Sequence, residues 1–70
     1  MASNFTFNTT QYQFSHGKSP RGNGNWMFTV KFSDGTAPIH TSVNGWYGDA
    51  KMEIVARFYG KAVSEIVVMP

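Results

Sequence analysis

Large apolar side chains recur at every second position through residues 25–32, which read NWMFTVKF. This period of two is typical of a half-buried β-strand, because successive side chains of a strand point to opposite faces. The pattern therefore predicts a strand with one face toward the core and Met27, Thr29 and Lys31 on the other face. The residues on the core face are Trp26, Phe28, Val30 and Phe32.

The segments on either side of this strand also alternate. Phe5 and Phe7, and then Tyr12 and Phe14, are separated by polar residues, which predicts one strand or a broken pair of strands. On the other side, Asp34-Gly35 favours a tight hairpin turn. The following stretch, APIHTSV at 37–43, predicts a further strand, in which Pro38 is confined to the strand start or to a sheet edge.

The period changes after residue 48. Ala50, Ile54 and Phe58 have the i, i+4, i+8 spacing of a helix of about three turns that covers the sheet with one face. Glu53 and Arg57 are spaced for an ion pair on its exposed side. Residues 64–70, SEIVVMP, then predict a last short strand, and their apolar run indicates burial on both faces.

Together these elements predict a single α+β domain over residues 1–70. We expect a small, mostly antiparallel sheet of three to four strands with one helix packed on one face, in the order β-β-β-α-β. The chain has 70 residues and no cysteine, so it cannot use disulfides, and its large share of aromatic residues must supply much of a small core. A chain of this kind also favours a homodimer.

Composition argues against several functional classes. The two histidines fall short of a metal-ligand set, and no pattern calls for a cofactor. The four acids are scattered, with no paired carboxylates and no nucleophile beside a base, so we expect no enzymatic activity. No apolar run could span a membrane, and residues 1–10 do not resemble a secretory signal, which predicts a cytoplasmic protein.

Charge is distributed unevenly along the chain. Residues 1–33 carry three cations and no acid, a balance of +3, whereas residues 34–70 carry three cations and four acids, a balance of −1. The first set is Lys18, Arg21 and Lys31. A local positive excess attracts phosphate groups or an acidic protein surface.

The segment 16–25, HGKSPRGNGN, is the main candidate for a binding loop. Lys18 and Arg21 offer a point charge and a planar fork that suit phosphate oxygens, while Gly22 and Gly24 let the backbone approach a ligand. The alternative is a glycine-rich turn with solvated cations, in which His16 only anchors the loop. The segment lacks the glycine at position 12 that a phosphate-binding P-loop requires.

Further candidates lie outside this segment. Tyr12 and Trp26 could stack on a nucleic-acid base, although Trp26 shares the core face of its strand. Lys31 and Lys51 would extend the basic surface, unless Lys51 only lays its aliphatic stem along the sheet edge. Trp46 and Tyr47, just before the helix, are either contacts with a partner or rings packed onto the core.

The segment also resembles a signature, S/T-H-G-x-x-P-R-G-x-G-x-W-x-F, of small uncharacterised proteins encoded by phages, plasmids and bacterial genomes. Met27 departs from it, since a small residue is expected there. The resemblance implies a compact domain linked to mobile DNA, and it implies no activity. The matching positions are Ser15, His16, Gly17, Pro20, Arg21, Gly22, Gly24, Trp26 and Phe28, followed by Tyr47, Ala50, Lys51 and Pro70.

Three hypotheses follow from the sequence. The first is a small module that binds nucleic acid through its phosphate backbone at 16–25. The second is a protein-interaction module, for instance an inhibitor encoded by a phage or another mobile element. The third is a structural homodimer without a ligand.

Overall fold

The computed structural model describes residues 5–70, which form an α+β domain, as the sequence predicts. A short strand is followed by a helix, a long hairpin, a second helix and a final strand. The elements are strand β1 (Phe7–Asn8), helix α1 (Thr10–His16), strands β2 (Asn23–Phe32) and β3 (Ile39–Trp46), helix α2 (Tyr47–Phe58) and strand β4 (Val63–Val68).

The four strands form one sheet in the order β1-β4-β2-β3. The central strand β2 is antiparallel to both β3 and β4, and only the two-residue β1 pairs in parallel, with β4. The predicted mostly antiparallel sheet is therefore confirmed. Strand β3 forms one edge of the sheet, which agrees with the place of Pro38 immediately before it.

The core lies between the sheet and α2. Even-numbered residues of β2 point into it, as the alternation predicts, and Trp26 is 6% exposed. Helix α2 contributes Ala50 and Ile54, both fully buried. The buried core is completed by Phe28, Val30, Ile66 and Val68 from the sheet and by Tyr12 and Tyr47 from the helices.

Residues 10–16 form a helix, where the alternation of Tyr12 and Phe14 predicts a strand. Only Tyr12 is buried, and Phe14 is 92% exposed, so the two rings do not share a buried face. Tyr12 is the one buried residue among the seven of this segment, and a helix can bury a single side chain as well as a strand can. The observed order is thus β-α-β-β-α-β.

The connection between β2 and β3 is longer than the predicted tight turn and spans residues 33–38. Gly35 has a φ of +88°, the left-handed conformation expected of it. The Asp34 carboxylate accepts a hydrogen bond from the Thr36 backbone N–H at 3.0 Å. Hydrogen bonding to Thr36 lowers the pKa of Asp34 below its ordinary value.

Helix α2 begins at Tyr47, two residues before the predicted start, and ends at Phe58. The predicted pair of Glu53 and Arg57 is confirmed, with 3.1 Å between the Glu53 Oε2 and Arg57 Nε atoms. Neither helix within residues 5–70 has the length and apolar character needed to cross a membrane.

Candidate phosphate-binding pocket

A surface pocket of about 370 Å³ lies where the end of α1, the following loop and the start of β2 meet. We call it the loop pocket. It brings together much of the segment that the sequence singles out, together with the residues that follow β4. Its lining comprises Tyr12, His16, Lys18, Arg21, Asn23, Gly24, Asn25, Trp26, Met27, Met69 and Pro70.

Glycine geometry shapes the loop that borders this pocket. Gly17 ends α1 in the left-handed conformation, with a φ of +70°, and its N–H donates to the Gln13 carbonyl at 2.7 Å. Gly22 has a φ of +89°, and its carbonyl accepts the Tyr47 N–H at 2.8 Å, which ties the loop to the start of α2. Pro20 between them is buried, so the loop is anchored on the domain.

The loop is shorter than predicted and joins different elements. Residues 17–22 connect a helix to a strand, whereas the sequence predicts a connection of about nine residues between two strands. Asn23, Gly24 and Asn25 belong to β2, where Gly24 pairs with Gly45. Part of the candidate binding segment is therefore held by the hydrogen-bond ladder of the sheet.

The ionisable side chains of basic type that line the loop pocket are not accompanied by an acidic side chain. His16, Lys18 and Arg21 line it, and none of the four acidic residues of the chain does. Within residues 5–70 the ion pairs are Lys31 with Glu65 and Arg57 with Glu53, so neither Lys18 nor Arg21 is neutralised by a described partner. Both side chains are free to bind an anion.

His16 is held in place by an aromatic neighbour. Its ring stacks on Tyr12, with 4.1 Å between ring centroids and 16° between planes. Tyr12 is buried and His16 is exposed, so one face of the imidazole is covered and its remaining surface faces solvent. This stack fixes one face of the imidazole at the end of α1, beside the loop that carries Lys18 and Arg21.

Tyr12 and Trp26, the rings proposed to stack on a base, are both buried in the core. Trp26 packs between Tyr12 and Tyr47, at centroid distances of 5.5 and 4.9 Å, and its Nε1–H donates to the Gly45 carbonyl at 3.0 Å. Burial raises the pKa of the Tyr47 hydroxyl above its ordinary value, with a smaller contribution from Tyr12. These contacts favour the core alternative for Trp26 and Tyr47, and Tyr12 belongs to the same buried cluster.

Four further candidates lie outside the loop pocket. Lys31 pairs with Glu65, with 3.7 Å between Nζ and Oε1. Lys51 places its Nζ 5.0 Å from the Tyr47 ring centroid and 5.8 Å from that of Phe7, which favours the interpretation that its stem lies along the domain. Trp46 is 59% exposed and lies at the end of the edge strand. Gly22 shapes the loop without lining the pocket.

The structure adds lining residues that the sequence analysis did not single out. Asn23 and Asn25 present exposed side chains from β2, and the asparagine-rich GNGN motif is the signal that could have indicated them. Met69 reaches the pocket because its N–H donates to the Met27 carbonyl at 2.9 Å, which extends the β4 pairing. No pattern near residue 69 indicates that contact.

Comparisons with protein-family models, with curated proteins and with solved structures give no match. The resemblance carried by the signature at residues 15–28 therefore stays a prediction. The functional argument depends on the geometry of this chain alone.

Proposed function

We propose that the chain is a non-enzymatic module that binds nucleic acid by its phosphate backbone at the loop pocket. The observation that carries this proposal is that His16, Lys18 and Arg21 line one pocket with no acidic side chain. The planar guanidinium of Arg21 can hold two phosphate oxygens, while Lys18 supplies a compact charge. The side chains of Asn23 and Asn25 add neutral hydrogen-bond donors.

Backbone recognition fits the pocket better than base recognition. Trp26, Tyr12 and Tyr47 are buried, so the exposed ring of His16 is the aromatic surface beside the cations. Contacts to phosphate position a nucleic acid but carry no sequence information directly. We therefore expect binding with little sequence preference.

The dependence on salt follows from the number of cations. Each phosphate neutralised on a DNA duplex contributes a slope of about −0.9 to the plot of log K against log salt concentration. With Lys18 and Arg21 each contacting one phosphate, the expected slope is about −2. Binding should thus be measurable at low salt and weak at physiological salt.

The experiment is a fluorescence-anisotropy titration of labelled single-stranded DNA, duplex DNA and RNA at several salt concentrations. The test variant carries Lys18→Ala and Arg21→Ala. The control carries Arg57→Ala and Lys61→Ala, which likewise removes one arginine and one lysine, at exposed residues outside the loop pocket. Circular dichroism checks that both variants are folded.

We expect the test variant to lose most of the binding and the control to retain it. Equal losses in the two variants would show that general positive charge is responsible and would overturn the assignment to the loop pocket. Absence of binding to all three nucleic acids at low salt would overturn the proposal itself.

A second candidate function is self-association, because no strand within residues 5–70 covers the outer edge of β3. This strand spans eight residues and contains no lysine, arginine, aspartate or glutamate. Natural edge strands are usually protected from pairing by charges, proline or short length. The opposite edge, β1, has two residues and is protected by its length.

Two backbone hydrogen bonds just beyond the ends of β3 and β4 establish which residues of the antiparallel strands form bonded pairs. The Tyr47 N–H donates to Gly22, and the Met69 N–H donates to Met27. Because bonded pairs alternate in antiparallel strands, odd-numbered residues of β3 bond to β2 and even-numbered ones point their N–H and C=O groups outward. Among residues 5–70, the outward backbone groups of His40, Ser42 and Asn44 therefore have no partner strand.

A second copy of the chain fits this edge. A two-fold axis beside Val43 places Ser42 of each copy opposite Asn44 of the other, so that the free groups satisfy one another and no like charges meet. Each exposed Trp46 then lies across from His40 of the other copy. We propose a weak antiparallel dimer, since edge pairing alone covers little surface.

Sedimentation equilibrium over a range of protein concentrations tests the dimer. Ser42→Lys with Asn44→Lys places like charges across the axis and should abolish it. Ala62→Lys with Ser64→Lys adds the same charge at exposed residues away from β3 and should leave it intact. A wild-type monomer throughout the range would contradict the dimer, as would equal dissociation of both variants.

A further inference from the structure

One face of the sheet points away from α2, and we call it the open face. Because even-numbered residues of β2 point into the core, the side chains of the odd-numbered ones lie on the open face. A pocket of about 250 Å³ on this face is lined in part by Met27 and Met69, and both residues also line the loop pocket. The loop pocket therefore adjoins the open face.

Trp46 lies on the open face beside the loop pocket. In the register of β2 with β3 it is opposite Asn23, which lines that pocket. The hydrogen bond from the Tyr47 N–H to the Gly22 carbonyl makes the neighbouring pair a non-hydrogen-bonded one. The Cα atoms of such a pair are about 4.5 Å apart, and their side chains lie close together. A large aromatic ring thus borders the basic pocket.

The Trp46 ring is not committed to the core. It is 59% exposed, whereas Trp26 is 6% exposed. Within residues 5–70, the contacts between aromatic rings include Trp26 and do not include Trp46. The exposed indole is a large apolar surface in water, and a stacked base would remove part of that surface from water.

Amide side chains surround this ring. Asn25 and Asn44 form the next cross-strand pair on the open face, and both are exposed, as Asn23 is. A carboxamide offers two donors and one acceptor, so it can hydrogen-bond the polar edge of a base. The open face next to the cations therefore combines a stacking surface with neutral hydrogen-bonding groups.

This arrangement distinguishes between forms of nucleic acid. In a duplex the bases are stacked and paired with one another, so only an unpaired strand can present a base face to Trp46. Proteins that bind single strands combine cations along the backbone with aromatic rings on which bases stack. We propose that the chain prefers single-stranded nucleic acid, with a phosphate in the loop pocket and a neighbouring base stacked on Trp46. This inference rests on the nucleic-acid binding proposed above.

The test compares the binding of labelled oligothymidylate, oligouridylate and a DNA duplex of the same length by fluorescence anisotropy at several salt concentrations. Trp46→Ala removes the ring, and Trp46→Phe keeps a smaller one. The matched control is Tyr59→Ala, which removes a 63% exposed ring outside both pockets. Circular dichroism checks that every variant is folded, and the first two probes distinguish DNA from RNA.

We expect the wild type to bind the single strands more tightly than the duplex. Trp46→Ala should lose at least about fivefold in single-strand affinity and little in duplex affinity, because one stacked base is lost. Trp46→Phe should recover much of the loss, and Tyr59→Ala should bind as the wild type does. Single strands, but not the duplex, should also quench the tryptophan fluorescence of the wild type.

Salt dependence separates stacking from phosphate contacts. Stacking releases no counterions, so Trp46→Ala should keep the wild-type slope of log K against log salt concentration. The variant with Lys18→Ala and Arg21→Ala should instead have a slope closer to zero.

Two results would overturn the preference and leave phosphate binding at the loop pocket intact. One is equal affinity of the wild type for single strands and duplex, and the other is an unchanged single-strand affinity in Trp46→Ala. An equal loss in Tyr59→Ala would also refute the role of Trp46. Absence of binding to every probe at low salt would refute the proposed function together with this inference.

Discussion

Gly24 lies where a side chain would meet no steric obstacle within the domain. A Cβ atom built on it has no neighbour within 4 Å, and its φ is not positive. Gly22, two residues earlier, differs because its φ of +89° favours glycine. Gly24 lines the loop pocket, so a ligand that approaches the backbone is a physical reason for the missing side chain.

We predict that Gly24→Ala weakens nucleic-acid binding severalfold without destabilising the domain. Alanine in a strand is more stable than glycine by about 0.5 to 1 kcal/mol, so urea unfolding should show equal or higher stability. Gly22→Ala is the contrasting variant and should cost about 1 to 2 kcal/mol in the left-handed conformation. Unchanged binding in Gly24→Ala would show that no ligand approaches this backbone closely.

Tyr47 gives a prediction about alkaline pH. Burial raises the pKa of its hydroxyl in the folded state above the value of 10.0 for a free tyrosine. The unfolded chain therefore loses this proton first, and the free energy of unfolding decreases as the pH rises above about 10. Urea unfolding from pH 9 to 11 should show this decrease, and Tyr47→Phe should reduce it. An equal decrease in both proteins would assign it to other groups.

At the scale of elements, helix α1 depends most on contacts with the rest of the domain. It has seven residues, and Tyr12 is its buried residue. Isolated helices of this length are marginal in water, so packing and end contacts must stabilise it. The Asn8 side chain accepts the Thr10 N–H at 2.9 Å at one end, and the Gly17 N–H closes the other.

Gly17→Ala should therefore affect α1 more than the rest of the domain. The added Cβ meets no atom within 4 Å, so the cost is that of the left-handed backbone, about 1 to 2 kcal/mol. We expect amide hydrogen exchange to accelerate at residues 13–17 while β2 stays protected. Uniform acceleration across the sheet would instead indicate global destabilisation.

At the scale of the whole molecule, stability depends on few buried side chains. A domain of 70 residues has an expected unfolding free energy of about 4 to 10 kcal/mol. Its core is one layer between α2 and the sheet, closed at one end by Tyr12. Each fully buried side chain therefore accounts for a large part of the total.

Ile54→Ala tests this dependence. Ile54 is fully buried on the inner side of α2, and its truncation should cost about 2 to 5 kcal/mol. Val55→Ala, at a half-buried position of the same helix, should cost less. Urea unfolding of both variants measures the difference, and equal losses would contradict the assignment of Ile54 to the core.

The sequence by itself determined the elements with a clear period. Strand β2 and helix α2 were predictable because their burial follows from one repeating side-chain direction. Residues 66–68 were recognisable as a strand buried on both faces, as observed. Lys18, Arg21 and His16 were recognisable as neighbours because they are close along the chain.

Tertiary structure decided the features that depend on distant residues. Tyr12 and Phe14 alternate like strand residues, and only the packing of Tyr12 against Trp26 distinguishes a helix there. The burial of Tyr47 and the exposure of Trp46 depend on how α2 leaves the sheet edge. Met69 lies 40 residues from Thr29 along the chain, and it contacts Thr29 and Met27 only because β4 pairs with β2. Periodicity reports the direction of neighbouring side chains, whereas strand order and register determine which distant ones meet.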